Sequence, residues 1–354
     1  MAKRVVLHIG AMKSGTSFIQ NVLHTNREAL LKHGILYARP RWRLQVLAVR
    51  ELIEHGGEDQ PPMPENGDWQ ALVDEVNAWP GTAIISMEFL APRRRPKIEL
   101  IQRAFAGADL QVVLTARDLA RSIPAMWTET VQNRGVRTWP EFLSAVRSED
   151  RDEKPARWFW SHQRISAIAR RWSAMVGRDH FTLVTVPQKG APPSLLWDRF
   201  AEVAGIPAGI CDLAVRSNPG IDTASAMVLR ALNERLAETE LSRQQYERLV
   251  KGVLAKQGLV RRGREMIPLG LDERWVRRRS DQDLERLRKL DVRVVGDLEE
   301  LRGKAVPGVH TSQVTADQQL EAALDGLAFM LTRSSRSRPA ADQTSEPTGK
   351  EATP

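Results

Sequence analysis

The sequence predicts a three-layer α/β/α fold, a parallel sheet with helices on both faces, followed by a helical C-terminal extension. Three observations carry this reading. Several short runs are apolar throughout instead of alternating, as strands buried on both sides require. Segments of helical spacing lie between them. After about residue 220 the strand signals fade and charged amphipathic stretches take over.

Val5 to Ile9 is the first buried strand, closed by Gly10. From Thr16 to Lys32, the apolar positions Phe18, Ile19, Val22, Leu23, Leu30 and Leu31 fit one helix, with Gly34 as its C-terminal stop. Glycines and prolines mark residues 56–68 as a loop. A short helix then ends near Trp79, and Thr82–Ser86 is the second strand. A helix over Lys97–Ala106 leads to a third strand at Gln111–Thr115. A helix over Ala156–Val176 leads to a fourth strand at Phe181–Val186, stopped by Pro187. Strands and helices alternating at these lengths imply right-handed crossovers. Further helices are expected over Ala224–Glu238, Ser242–Lys256 and Asp281–Lys289. The expected organisation is an α/β core over 1–215, a helical extension over 216–332 and an unordered tail over 333–354. That tail holds Ser, Thr, Pro and charge but no large apolar residue after Leu331.

With 354 residues, 42% hydrophobic and 27% charged, the chain can bury a full-sized core. Its 52 Lys and Arg against 44 Asp and Glu give a net charge of +8, which favours anionic ligands without naming them. A single cysteine, Cys211, excludes an internal disulfide framework and a cysteine-based zinc site. No apolar run is long enough to cross a bilayer, and the apolar stretch near the N-terminus is too short for a signal peptide. A soluble cytoplasmic protein is the expectation. No His, Cys or Asp spacing suggests a metal site.

The densest chemical signal is His8-Ile9-Gly10-Ala11-Met12-Lys13-Ser14-Gly15-Thr16-Ser17, between the first strand and the first helix. Small residues let backbone N–H groups converge on one anion, the helix start adds partial positive charge, and Lys13 adds a full one. Ser14, Thr16 and Ser17 add hydroxyl donors. Lysine lies two positions before the second glycine here, unlike the G-x-x-x-x-G-K-[ST] pattern of nucleotide triphosphatases, which argues against ATP or GTP chemistry.

This segment resembles the 5′-phosphosulfate loop of sulfotransferases, which share a P-loop-like α/β fold and use 3′-phosphoadenosine 5′-phosphosulfate (PAPS) as donor. The resemblance implies that Lys13, Ser14, Gly15, Thr16 and Ser17 hold the donor's 5′ end, with Lys13 also assisting catalysis. Thr115-Ala116-Arg117-Asp118-Leu119-Ala120-Arg121 is similar to the family's strand-end arginine segment, so Arg117 is the expected ligand of the 3′-phosphate. The family's serine eight positions later is replaced by Ala125, with Ser122 as a candidate substitute. Ile84-Ile85-Ser86-Met87-Glu88-Phe89-Leu90 resembles the strand-then-Ser-x-Glu segment of bacterial members, which makes Glu88 the expected catalytic base and His162 the alternative. The expected activity is sulfuryl transfer from PAPS, with no metal, to a hydroxyl of a small-molecule or carbohydrate acceptor. The alternatives are an ATP-dependent kinase or nucleotide hydrolase, and a noncatalytic protein binding an anion or nucleic acid. The last is motivated by Arg93-Arg94-Arg95, Arg261-Arg262 and Arg277-Arg278-Arg279, although interleaved acids make solvated helix faces the simpler account and nucleic acid is not expected.

Overall fold

The computed structural model describes residues 2–57, 59–148, 152–215, 220–261 and 267–336. Its strands are β1 (Arg4–His8), β2 (Ile35–Tyr37), β3 (Thr82–Ser86), β4 (Asp109–Ala116), β5 (Phe181–Thr185) and β6 (Arg293–Val295). They form one sheet in the order β2-β3-β1-β4-β5-β6. Every pairing is parallel, so the expected α/β class is borne out.

The helices are α1 (Thr16–Thr25), α2 (Arg27–Lys32), α3 (Trp42–Glu54), α4 (Asp68–Ala78), α5 (Arg95–Ala104), α6 (Leu119–Gln132), α7 (Trp139–Ser148), α8 (Lys154–Gln163), α9 (Ile165–Val176), α10 (Leu195–Ala204), α11 (Thr223–Ala237), the one-turn α12 (Arg243–Gln245), α13 (Arg274–Arg288) and α14 (Ala316–Arg336). After α12 the chain continues as a wider π-helix over Tyr246–Gly258. Two helices expected to be continuous are broken. Asn26 ends α1 because its amide donates to Val22 O at 2.9 Å and Asp212 O at 2.8 Å, and its Oδ1 accepts from Asp212 N at 2.8 Å. Arg164 leaves helical geometry between α8 and α9, at φ −81° and ψ 78°.

The chain divides into two compact units. The first contains residues 1–129, 137–219 and 269–308, and the second contains 130–136, 220–268 and 309–354. In the first, β1 feeds both faces of the sheet. Val5, Leu7 and Ile9 join one apolar cluster with Ile85, Leu114 and Trp172, while Val6 joins another with Val22, Val113 and Phe200. A strand covered on both faces has no solvent side, which explains the unalternating runs. α13 packs Leu284 and Leu287 into the first cluster and leads into β6. That strand follows the segment where strand signals fade: three residues, Arg293–Val295, flanked by Asp291 and Asp297, are too few to show a period.

The second unit contains α11, α12, the π-helix and α14, with Ala224, Val314 and Ala322 in its core. Asn233 donates to Val131 O at 2.8 Å and Gly135 O at 2.9 Å, and accepts from the Tyr246 hydroxyl at 2.7 Å. α14 carries helix to Arg336, into the segment expected to be tail; residues 337–354 lie outside the described residues.

Candidate functional site

The carboxyl ends of β1, β3 and β4 lie side by side, with His8 opposite both Ser86 and Val113. The chain crosses over β1 between β3 and β4, making this the switch point at which open parallel sheets bind ligands. Each strand delivers one candidate segment there: the Gly10–Ser17 loop, Glu88 and Arg117.

A fully buried His8 joins the three strands. One ring nitrogen meets Ser86 Oγ at 2.8 Å and the other meets Thr115 Oγ1 at 3.1 Å. Burial pushes its pKa down to about 3, so it is neutral and part of the scaffold. Ala11 N donates to Thr115 O at 2.7 Å, continuing the tie to β4.

The loop turns sharply through three left-handed residues, Gly10 at φ +64°, Lys13 at φ +63° and Gly15 at φ +82°. Lys13 is the one of these that bears a side chain, and its backbone is correspondingly strained. At Gly10 a Cβ would lie 2.7 Å from Thr16 Cγ2 and 2.8 Å from Glu88 Cβ, so glycine lets the loop and the β3 end touch.

The Ser14 hydroxyl is committed internally, donating to Ala11 O at 2.6 Å and meeting Thr115 Oγ1 at 2.7 Å. Its N–H points to Ala11 O at 3.3 Å. Ser14 thus braces the loop and does not offer its hydroxyl outward. The N–H groups of Lys13, Gly15, Thr16 and Ser17 bond to no other group of the chain among the described residues. Gly15 provides no side-chain cap to α1 and the helix has no acid in its first turn. Unspent donors at an uncapped helix start are groups of the kind that can accept an anion. The Ser17 side chain is exposed beside them.

Lys13 Nζ is held by Glu129 Oε2 on α6 at 2.7 Å. Glu88 lies against the loop at Gly10. Burial raises its pKa most strongly; its own backbone N–H and the Gln20 amide, 3.1 Å from Oε2, oppose this, as does Lys13, while Glu129 adds to the rise. Gln20 also donates to Ser86 O at 3.1 Å, fixing the carboxyl against the β3 end.

Arg117 lies at the β4 end, largely buried, with one guanidinium nitrogen donating to Arg121 O at 2.8 Å. Its Nε has no hydrogen-bond partner among the described residues, and neither has the fully buried Ser122 Oγ in the first turn of α6. Burial, with a smaller contribution from Arg121, lowers the Arg117 pKa to about 10, leaving it charged at neutral pH. It shares a narrow cavity with Gln163, Ser280 and Asp283. The Gln163 amide in turn donates to Met12 O at 2.7 Å, which connects that cavity to the loop.

His162 is buried beside Trp158, with Nδ1 2.8 Å from Trp158 O and its pKa lowered by burial to about 4. Sequence reasoning missed Glu129, Gln163 and Gln20. Glu129 and Gln163 reach the loop from helices, and Gln20 reaches Ser86 and Glu88 from α1, each across a sequence distance that no local motif spans. Among the described residues no group of three His, Cys, Asp or Glu could hold a metal ion, and no helix is long and apolar enough to cross a membrane.

No protein-family model and no curated protein matches the chain. Among solved structures it is similar to a sulfotransferase from Alicyclobacillus acidocaldarius, at 15% identity and a TM-score of 0.42, over 71% of this chain and 96% of that one. A likeness this distant transfers no role to any residue.

Proposed function

We propose that the chain transfers a sulfuryl group from PAPS to an acceptor hydroxyl at the carboxyl ends of β1, β3 and β4. The observation that carries this reading is the set of unspent N–H donors of Lys13, Gly15, Thr16 and Ser17, in a loop that also carries the Lys13 ammonium and touches a desolvated carboxyl, Glu88. An anion cradle alone would serve any phosphate, and a buried carboxyl alone is often structural. Together they provide what moving an oxyanion onto a hydroxyl needs: charge stabilisation for the leaving group and a base for the nucleophile.

In this scheme the donor's 5′-phosphosulfate rests on the loop amides and Lys13, and its 3′-phosphate reaches Arg117 and Ser122. The orphaned Arg117 Nε and Ser122 Oγ suit that second phosphate. Glu88 takes the proton of the acceptor hydroxyl as its oxygen bonds to sulfur. The bond between sulfur and the bridging oxygen of the 5′-phosphate breaks in line, and adenosine 3′,5′-bisphosphate leaves. Negative charge gathers on that oxygen, where one well-placed donor is commonly worth about 3 to 4 kcal/mol. The base must have lost its proton before it can act, and burial works against this. Its own backbone N–H, the Gln20 amide and Lys13 favour the ionised form.

The acceptor class follows from the resemblance: a small molecule or a carbohydrate bearing a hydroxyl. Titration calorimetry with adenosine 3′,5′-bisphosphate, set against ATP with magnesium, tests the donor without requiring the acceptor. Saturable binding of the bisphosphate and weak or no binding of ATP is expected; preference for magnesium–ATP would overturn the reading in favour of a kinase or hydrolase.

A further inference from the structure

Of the arginine run Arg93-Arg94-Arg95, a solvated helix face accounts only for the last member. Arg95 pairs with Glu99 at 2.7 Å, four residues on along α5. Among the described residues the side chains of Arg93 and Arg94 make no hydrogen bond or ion pair. Arg94 is exposed, where water satisfies it, but Arg93 is half-buried and its Nε is buried without a partner. Burial lowers its pKa.

α9 brings two further cations to the same place. The Arg171 guanidinium donates to Ala91 O at 3.0 Å and Trp172 Nε1 donates to the same oxygen at 3.1 Å, which fastens α9 to the connection two residues before Arg93. Arg93 N closes a turn there on Leu90 O at 2.9 Å. Arg171 Nε, like that of Arg93, is buried with no partner among the described residues. Burial lowers the Arg171 pKa most, and the charged groups that lower it further are Arg94, Arg93 and Arg170, all of them cations. Half-buried guanidinium groups with unmet donors are costly, and crowding like charges around them adds to the cost. A doubly charged tetrahedral oxyanion removes both costs: its oxygens accept from two guanidinium forks at once, and its charge offsets the repulsion. A carboxylate has two oxygens and one charge, and meets the same need only in part.

We propose that Arg93 and Arg171, with Arg94 and Arg170 at the rim, form a second oxyanion site that takes a phosphate or sulfate group, free or as an ester. This goes beyond the catalytic reading and does not depend on it. The charged groups that act on Arg117 are Arg121 and Asp118 and none of these four, so the site is distinct from the position proposed for the 3′-phosphate. Arg170 also lines a cavity of about 550 Å³ with Arg286 and Lys289, which leaves room on that side for the body of an ester.

Titration calorimetry of the full-length Lys13→Ala chain isolates this site from the Gly10–Ser17 loop, with inorganic phosphate and glucose 6-phosphate as probes. Saturable binding of at least one probe is expected, and adding Arg93→Gln or Arg171→Gln should weaken it by about 10-fold or more. Tighter binding of glucose 6-phosphate assigns the site to an ester, and tighter binding of inorganic phosphate to the free ion. Arg171→Gln removes the bond to Ala91 O, but Arg93→Gln breaks no bond of the fold. Without ligand, Arg93→Gln should therefore melt at the same temperature as its parent or higher, while the rise in melting temperature on adding the tighter probe is lost. The proposal fails if the Lys13→Ala chain binds neither probe at concentrations up to about 10 mM. It also fails if Arg93→Gln binds as well as its parent, or if that variant melts lower without ligand, which would make Arg93 a support of the fold.

Discussion

Lys13 Nζ lies 2.7 Å from Glu129 Oε2, so the cation expected to meet an incoming anion already has a carboxylate partner. The Lys13 side chain is 30% exposed and that of Glu129 16%, so the pair is worth on the order of 1 kcal/mol, not a buried pair's larger value. An oxyanion with two or more charges can outcompete one carboxylate at that cost. Glu129→Gln should therefore bind adenosine 3′,5′-bisphosphate more tightly, by about 3- to 10-fold. Lys13→Ala should bind it about 100-fold more weakly or worse and lose sulfuryl transfer. Calorimetry on the two variants checks both directions. If Lys13→Ala kept its affinity within twofold, the lysine would not belong to the anion site.

Glu88→Gln keeps the shape of the side chain and its contact with Gln20 but removes the base. Turnover should fall about 100-fold or more, while affinity for the bisphosphate changes little. The pH profile provides a second readout. Burial raises the Glu88 pKa, so the acid limb of kcat/KM should lie above the usual glutamate range and be absent in the variant. An unchanged limb would assign it to another group, with His162 the next to substitute.

Arg117 can be tested by changing the ligand as well as the protein. If its guanidinium meets the 3′-phosphate, Arg117→Ala should weaken adenosine 3′,5′-bisphosphate by about 30-fold or more and leave adenosine 5′-phosphate, which lacks that group, unaffected. Equal losses for both nucleotides would instead mean that Arg117 supports the β4 end, where its present bond to Arg121 O already contributes.

These tests separate what the sequence could express from what it could not. The loop was legible because phosphate-binding turns need small residues next to a strand and a helix, and Gly10, Lys13 and Gly15 occupy its left-handed corners. Ser14 shows the limit. A hydroxyl in such a loop reads as a donor to the ligand, yet its bonds to Ala11 and Thr115 turn it inward. Glu129 and Gln163 were invisible because α6 and the end of α8 reach the loop only after the sheet has formed. The same holds for β6, which is recognisable only against β5. The breaks at Asn26 and Arg164 likewise arise from tertiary context, in the first case from the backbone of Asp212.

Acid stability offers a test of the scaffold without substrate. His8 and His162 have pKa values of about 3 and about 4 in the folded chain, both lowered chiefly by burial from the ordinary imidazole value of 6.5. Between pH 6.5 and about 4 the unfolded chain therefore binds protons that the folded chain refuses. The stability supplied by these neutral rings is complete above pH 6.5 and is lost as pH falls toward their folded values. Each such histidine adds up to about 1.4 kcal/mol of lost stability per pH unit. His162→Asn removes one titrating ring while its amide can still donate to Trp158 O. Urea unfolding at pH 6 and pH 5 should show the variant losing stability more gently than the wild type, by up to that amount. Identical slopes would mean that His162 takes up its proton as readily in the folded chain as in the unfolded one, and that the helix around Trp158 opens to water well above pH 4.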